Sequence, residues 1–102
     1  MHDIKLERVH FRLPADGISL LEEMASDEHM TDASLKRKFI MEWYDSPFEL
    51  DVHDDRPKLQ ATVQLPEKVV ADIKELCEDR GITRSALLRN IVMTSLMHEE
   101  GE

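Results

Sequence analysis

Alternation of apolar and polar residues marks two short stretches of the chain. Val9, Phe11 and Leu13 alternate with Arg8, His10 and Arg12, and Ala61, Val63 and Leu65 alternate with Gln60, Thr62 and Gln64. Successive side chains of a strand point to opposite faces, so each stretch predicts a strand with one buried face. Pro14 and Pro66 close them; proline has no N–H for further pairing and suits the first turn of a helix. Helical spacing follows. Ile18, Leu21, Met24 and Ala25 form one apolar stripe, and Val70, Ile73, Leu76 and Cys77 form another. Gly81 stops the second of these helices with an easy left-handed residue, whereas His29 holds that place, less comfortably, after the first. Thr31 and Thr83 are placed to cap two further helices, which run to about Tyr44 and Met97.

Displacing the sequence by 52 residues lays one half on the other without a gap. Leu13–Pro14 falls on Leu65–Pro66, Thr31 on Thr83, Leu35 on Leu87, Arg37 on Arg89 and Met41 on Met93. Apolar positions agree while surface charge does not, as Asp16 against Lys68 and Asp32 against Arg84 show. That is the mark of a duplicated fold unit. The units are 7–44 and 59–97, joined by an acidic, proline-containing linker over 45–58. Fully extended, the linker reaches roughly 45 Å. Within it, Phe48, Leu50 and Val52 alternate, which predicts either a segment hugging the surface or a short extra strand.

A lone strand leaves both of its edges open, and two short helices bury too little to hold it. Antiparallel pairing of the two strands, with four helices interlocked beneath them, solves both problems. The expected fold is therefore mainly α with a short β ribbon, in the order β-α-α-β-α-α, as an intramolecular pseudo-dimer. The linker equally permits two chains to exchange units. Trp43 and Tyr44 end the first long helix, where they are expected to cover the edge of the domain.

Composition narrows the function. The net charge is −9, from 13 basic and 22 acidic residues, which opposes non-specific attraction to nucleic acid. Cys77 is the single cysteine and lies on an apolar stripe, so it reads as core and fits a reducing, cytoplasmic setting. The first residues lack the basic-then-apolar pattern of a signal peptide, and no window is long enough to cross a bilayer, so no membrane partner is expected. His2, His10, His29, His53 and His98 have no metal-ligand spacing. There is no glycine-rich phosphate loop, and no nucleophile stands at motif spacing from a base. Neither cofactor, metal nor catalysis is expected.

The run Gly81–Ile82–Thr83–Arg84–Ser85–Ala86–Leu87–Leu88–Arg89, following the Pro-terminated strand Ala61–Pro66, resembles the ribbon-helix-helix superfamily of Arc-, MetJ- and CopG-like repressors. Residues 7–44 resemble it more weakly, mostly through the repeat. Together the two stretches cover about three quarters of the chain. The tandem layout is similar to that of the TraY relaxosome accessory proteins of conjugative plasmids.

The resemblance implies sequence-specific binding of double-stranded DNA, by a transcriptional repressor or a plasmid or phage DNA-processing factor. It makes Arg8, His10, Arg12, Gln60, Thr62 and Gln64 the base-reading residues in the major groove. It places phosphates at the second helices of the units, with Thr83, Arg84, Ser85, Thr31 and Lys36 as contacts. Asp32 departs from this pattern, because a carboxylate stabilises a helix N-terminus but repels a phosphate. The residue chemistry agrees independently: Arg pairs bidentately with guanine and Gln with adenine. A merely solvated strand face would be expected to hold some of the 22 carboxylates, yet these six positions hold none. One short ribbon buries little area, so self-association on adjacent sites is expected. The alternative is an acidic interaction module (a DNA mimic, inhibitor or antitoxin) that keeps the fold and engages a basic protein partner.

Overall fold

A computed structural model describes residues 5–52 and 58–100. The chain forms β1 (Leu6–Pro14), α1 (Ala15–Asp27), α2 (Asp32–Asp45), β2 (Lys58–Pro66), α3 (Glu67–Arg80) and α4 (Arg84–Glu100). The two repeats are each β-α-α, and the structure is mainly helical with one short ribbon. His2, His53 and linker residues 54–57 lie outside the described residues.

β1 pairs antiparallel with β2 of the same chain, from Leu6 opposite Pro66 to Pro14 opposite Lys58. The inward side chains Val9, Phe11, Leu13, Ala61, Val63 and Leu65 are all buried. Beneath them lie Leu21, Leu35, Ile40, Ile73, Leu87 and Ile91 from the four helices, each at most 2% exposed. Burying a side chain of this size contributes about 1.5–3 kcal/mol, so the ribbon is held chiefly by the helices under it. Each repeat supplies half of this one core.

The turns between helices follow the sequence pattern closely. Thr31 Oγ1 accepts from the Ser34 N–H at 3.0 Å, and Thr83 Oγ1 accepts from the Ala86 N–H at 3.0 Å. Both caps satisfy a helix donor that has no partner within the helix. Gly81 has φ +67° and its counterpart His29 has φ +56°. The left-handed turn is thus kept in both repeats, without glycine in the first.

Residues that differ between the repeats tie the halves together. Trp43 is buried, with the Arg80 guanidinium 5.8 Å from its ring centroid, and the Tyr44 hydroxyl donates to Asp72. Both contacts join α2 to α3 across the repeat boundary, so the two aromatics cover the domain edge. At Gly17 the helices α1 and α4 approach closely, and a Cβ there would lie 2.5 Å from Met93 Sδ.

After α2 the chain turns back over the core. Trp43 Nε1–H donates to the Phe48 carbonyl at 2.9 Å, and the Asp51 N–H donates to Thr94 Oγ1 at 3.1 Å. Phe48 and Leu50 are half-buried, while Val52 is 90% exposed. Of the two outcomes expected for this segment, the surface-hugging one holds through residue 50. Among the described residues the sheet remains two-stranded, and no helix is long and apolar enough to cross a membrane.

Candidate nucleic-acid interface

The side chains that alternate with the core residues share the outer face of the ribbon. The register sets Arg8 opposite Gln64, His10 opposite Thr62, and Arg12 opposite Gln60. Five of the six are exposed and Thr62 is half-buried. All six sequence-predicted residues are therefore brought onto one strip, as three cross-strand rungs. No carboxylate interrupts them.

Hydrogen bonding links the middle of the strip. His10 Nδ1 lies 3.2 Å from Gln60 Nε2 and 3.3 Å from Thr62 Oγ1. A neutral imidazole with its proton on Nε2 accepts at Nδ1, which leaves the second Gln60 amide hydrogen and the Gln60 carbonyl free to face outward.

Helix starts flank the strip. The Arg12 backbone N–H donates to Ser85 Oγ at 3.1 Å, pinning the outer edge of β1 to the first turn of α4. Thr83 and Arg84 are exposed beside it and Ser85 is half-buried. On the other edge, Thr31, Asp32 and Ala33 occupy the equivalent places, all exposed. Ala33 has no hydroxyl to offer the ribbon. The Thr31 and Thr83 hydroxyls are engaged as caps; Thr31 also donates its proton to Ser34 Oγ at 2.9 Å, whereas Thr83 can still donate its own.

Lys36 is placed elsewhere. It is 7% exposed, and burial lowers its pKa, only partly offset by Asp32. Its counterpart in the repeat is Leu88, which is fully buried. The repeat register thus held a signal that position 36 belongs to the core, whereas the neighbouring position 37 pairs with Arg89. Arg37 is a second basic residue of the same helix. In the structure it lines a depression with Arg8, Ala33, Thr62, Val63 and Gln64.

Apart from Asp32 at the edge of the strip, exposed carboxylates gather on other elements. Asp16, Glu22, Glu23 and Asp27 are exposed on α1 and Glu28 at its C-cap, and Glu67, Glu75, Glu78 and Asp79 on α3. Glu7 is the nearest along β1, but it lies opposite Leu65 on the inward register, beside Glu67 and Lys68 at the start of α3.

Residues 62–96 match the model of a known family, ribbon-helix-helix protein, copG family. That part of the chain has a copG-like ribbon-helix-helix fold, and the whole has a duplicated β-α-α architecture. No curated protein and no solved structure matches the chain. The fold, the family match and the ribbon support a general DNA-binding or regulatory role. Members of that family are non-catalytic. No group of metal-ligating side chains occurs among the described residues.

Proposed function

We propose that the chain binds double-stranded DNA sequence-specifically by laying its ribbon in the major groove, and acts as a transcriptional repressor or as an accessory factor in plasmid or phage DNA processing. The observation that carries this reading is the strip of three rungs, Arg8–Gln64, His10–Thr62 and Arg12–Gln60, which is free of carboxylates in a chain of net charge −9. A major groove about 12 Å wide admits a two-stranded ribbon. Arg8 and Arg12 read guanines through their paired donors, and Gln60 and Gln64 read adenines. Four residues apart on a strand, the two arginines are separated by roughly 13 Å, which spans three to four base steps at roughly 3.4 Å of rise each. Thr83, Arg84 and Ser85 at the start of α4, and Thr31 at the start of α2, hold backbone phosphates and fix the register.

The acidic backs of α1 and α3 support the same reading. They weaken non-specific attraction, so binding depends on the contacts of the ribbon rather than on bulk charge. Units 7–44 and 59–97 act as the two half-site readers of one module, and copies on adjacent sites add the area that one ribbon lacks. The resemblance to the TraY group rests on tandem layout alone.

The test is selection from a random double-stranded DNA library at low and moderate salt, using the purified chain. A short asymmetric motif is expected. It should be lost in a folded variant with Arg8, Arg12, Gln60 and Gln64 all changed to Ala. No enrichment at low salt by the folded chain would overturn the DNA reading and favour a basic protein partner.

A further inference from the structure

We propose that Arg37, in the depression that it lines with Arg8, forms a phosphate site on the β2 flank of the ribbon, and that it takes one phosphodiester of the DNA backbone while Arg8 stays on the bases. This rests on the DNA reading above and specifies how that flank is held.

Two depressions flank the strip. One is lined by Arg8, Ala33, Arg37, Thr62, Val63 and Gln64. The other is lined by Gln60, Ser85, His10, Phe11 and Arg12, which are the repeat counterparts of all of these but Arg37. The same place in the fold therefore occurs twice, furnished differently. Beside Gln60 the hydroxyl of Ser85 is present and engages the Arg12 N–H. Beside Arg8 that position is Ala33, and the preceding Asp32 would repel an anion.

Arg37 supplies what Ala33 and Asp32 lack. Four residues apart on one helix, Ala33 and Arg37 share a face, and the small Ala33 leaves the guanidinium room to border the depression. Its Nε is shut off from solvent and has no hydrogen-bond partner. Among the described residues, no carboxylate forms an ion pair with Arg37 or Arg8, and none lines the depression. A shielded guanidinium donor without a protein acceptor gains from any acceptor that reaches the group. The planar fork of arginine matches phosphate oxygens in pairs. Arg89, the counterpart, also has an unpartnered Nε, but it is buried and does not reach the opposite depression. One flank is thus gripped by the Arg37 guanidinium and the other by the start of α4.

The position fits a backbone contact. The depression begins at the edge of the base-reading strip, where a groove wall stands when the ribbon lies in the groove. Lys36, the basic neighbour, is drawn into the core and is not available.

The experiment compares Arg37→Gln and Arg37→Lys with the unmodified chain, each checked for an unchanged thermal unfolding curve. Fluorescein-labelled duplexes are used, one of the selected sequence and one of random sequence, between about 0.05 and 0.2 M salt. Arg37→Gln is expected to weaken both duplexes by the same factor, about tenfold, as loss of one charged contact implies. It should also reduce the slope of log K against log salt by about 0.9, the value for one phosphate. Arg37→Lys should keep the slope and lose part of the affinity, because charge remains without the fork. If Arg37→Gln changes neither affinity nor slope, while Arg8→Ala with Arg12→Ala still abolishes sequence preference, the phosphate site is wrong and the ribbon reading stands. If the unmodified chain retains neither duplex, both fall together.

Discussion

His10 and Thr62 face each other across the ribbon, and each is the counterpart of the other under the 52-residue repeat. The pseudo-two-fold axis of the module therefore passes through this rung. It carries the Arg8–Gln64 rung onto the Gln60–Arg12 rung, so both ends of the strip hold one arginine and one glutamine. Both arginines, however, belong to β1. The strip is balanced along its length and polar across its width.

Replacing Arg8 and Arg12 with Gln puts glutamine at all four corners and makes the outer positions obey the axis. Selected DNA should then change from an asymmetric motif to an inverted repeat, with guanine preference lost at the two arginine-read positions. Each lost Arg–guanine pair should cost about 1–3 kcal/mol of discrimination. Library selection on the double variant reads this directly, and an unchanged motif would refute the assignment of the arginines to guanine.

Ser85 anchors the edge of β1 through the Arg12 N–H. Ser85→Ala should cost about 1 kcal/mol of stability, the net worth of one such bond, seen as a lower urea midpoint with an unchanged slope. Ala33→Ser at the equivalent place offers Gln64 the same anchor and should not lower the midpoint. An Ser85→Ala chain as stable as the parent would show that α4 is docked by its apolar contacts alone.

The left-handed turn at His29 is occupied by a residue with a Cβ. His29→Gly removes a strain of about 1–2 kcal/mol, less the greater freedom that glycine gains in the unfolded chain. A net gain of about 0.5–1 kcal/mol is expected. Calorimetry should show a rise of a few degrees in Tm. The same exchange reversed, Gly81→His, should lower Tm.

Lys36 sits in the core with its pKa lowered by burial. The unfolded chain therefore holds that proton more tightly than the folded one. The destabilisation is full at neutral pH and fades as pH rises from the lowered folded value towards the ordinary 10.5. Lys36→Leu, which installs the residue type of position 88, should stabilise the chain at pH 7 by about 1 kcal/mol. Its advantage should shrink towards pH 10. Paired urea titrations at the two pH values test the sign, and DNA affinity should be unaffected. A gap that widened with pH would mean that the ammonium is stabilised by its surroundings.

Much of this protein is legible along the chain. Alternation around Val9–Leu13 and Ala61–Leu65 assigns the two strand faces, because a strand has only two sides. Pro14, Pro66, Thr31, Thr83 and Gly81 mark where helices begin or end through local backbone chemistry, which needs no distant partner. The 52-residue repeat assembles these pieces into two like units and makes the pairing of their strands the economical solution. The six outward residues followed from that parity alone.

Tertiary structure decided what depends on contacts between segments. The register that sets Arg8 against Gln64 comes from how both apolar strand faces seat on four helices. The fate of Lys36 and Arg37 was set by the rotation of α2 against the core, since adjacent helical residues point about 100° apart and a small rotation chooses which one is buried. The Ser85 anchor, the Tyr44–Asp72 contact and the Asp51–Thr94 bond that brings the chain back after α2 join positions far apart in sequence. Local pattern fixes faces and ends, because it acts within a turn or a strand; only packing fixes which faces meet.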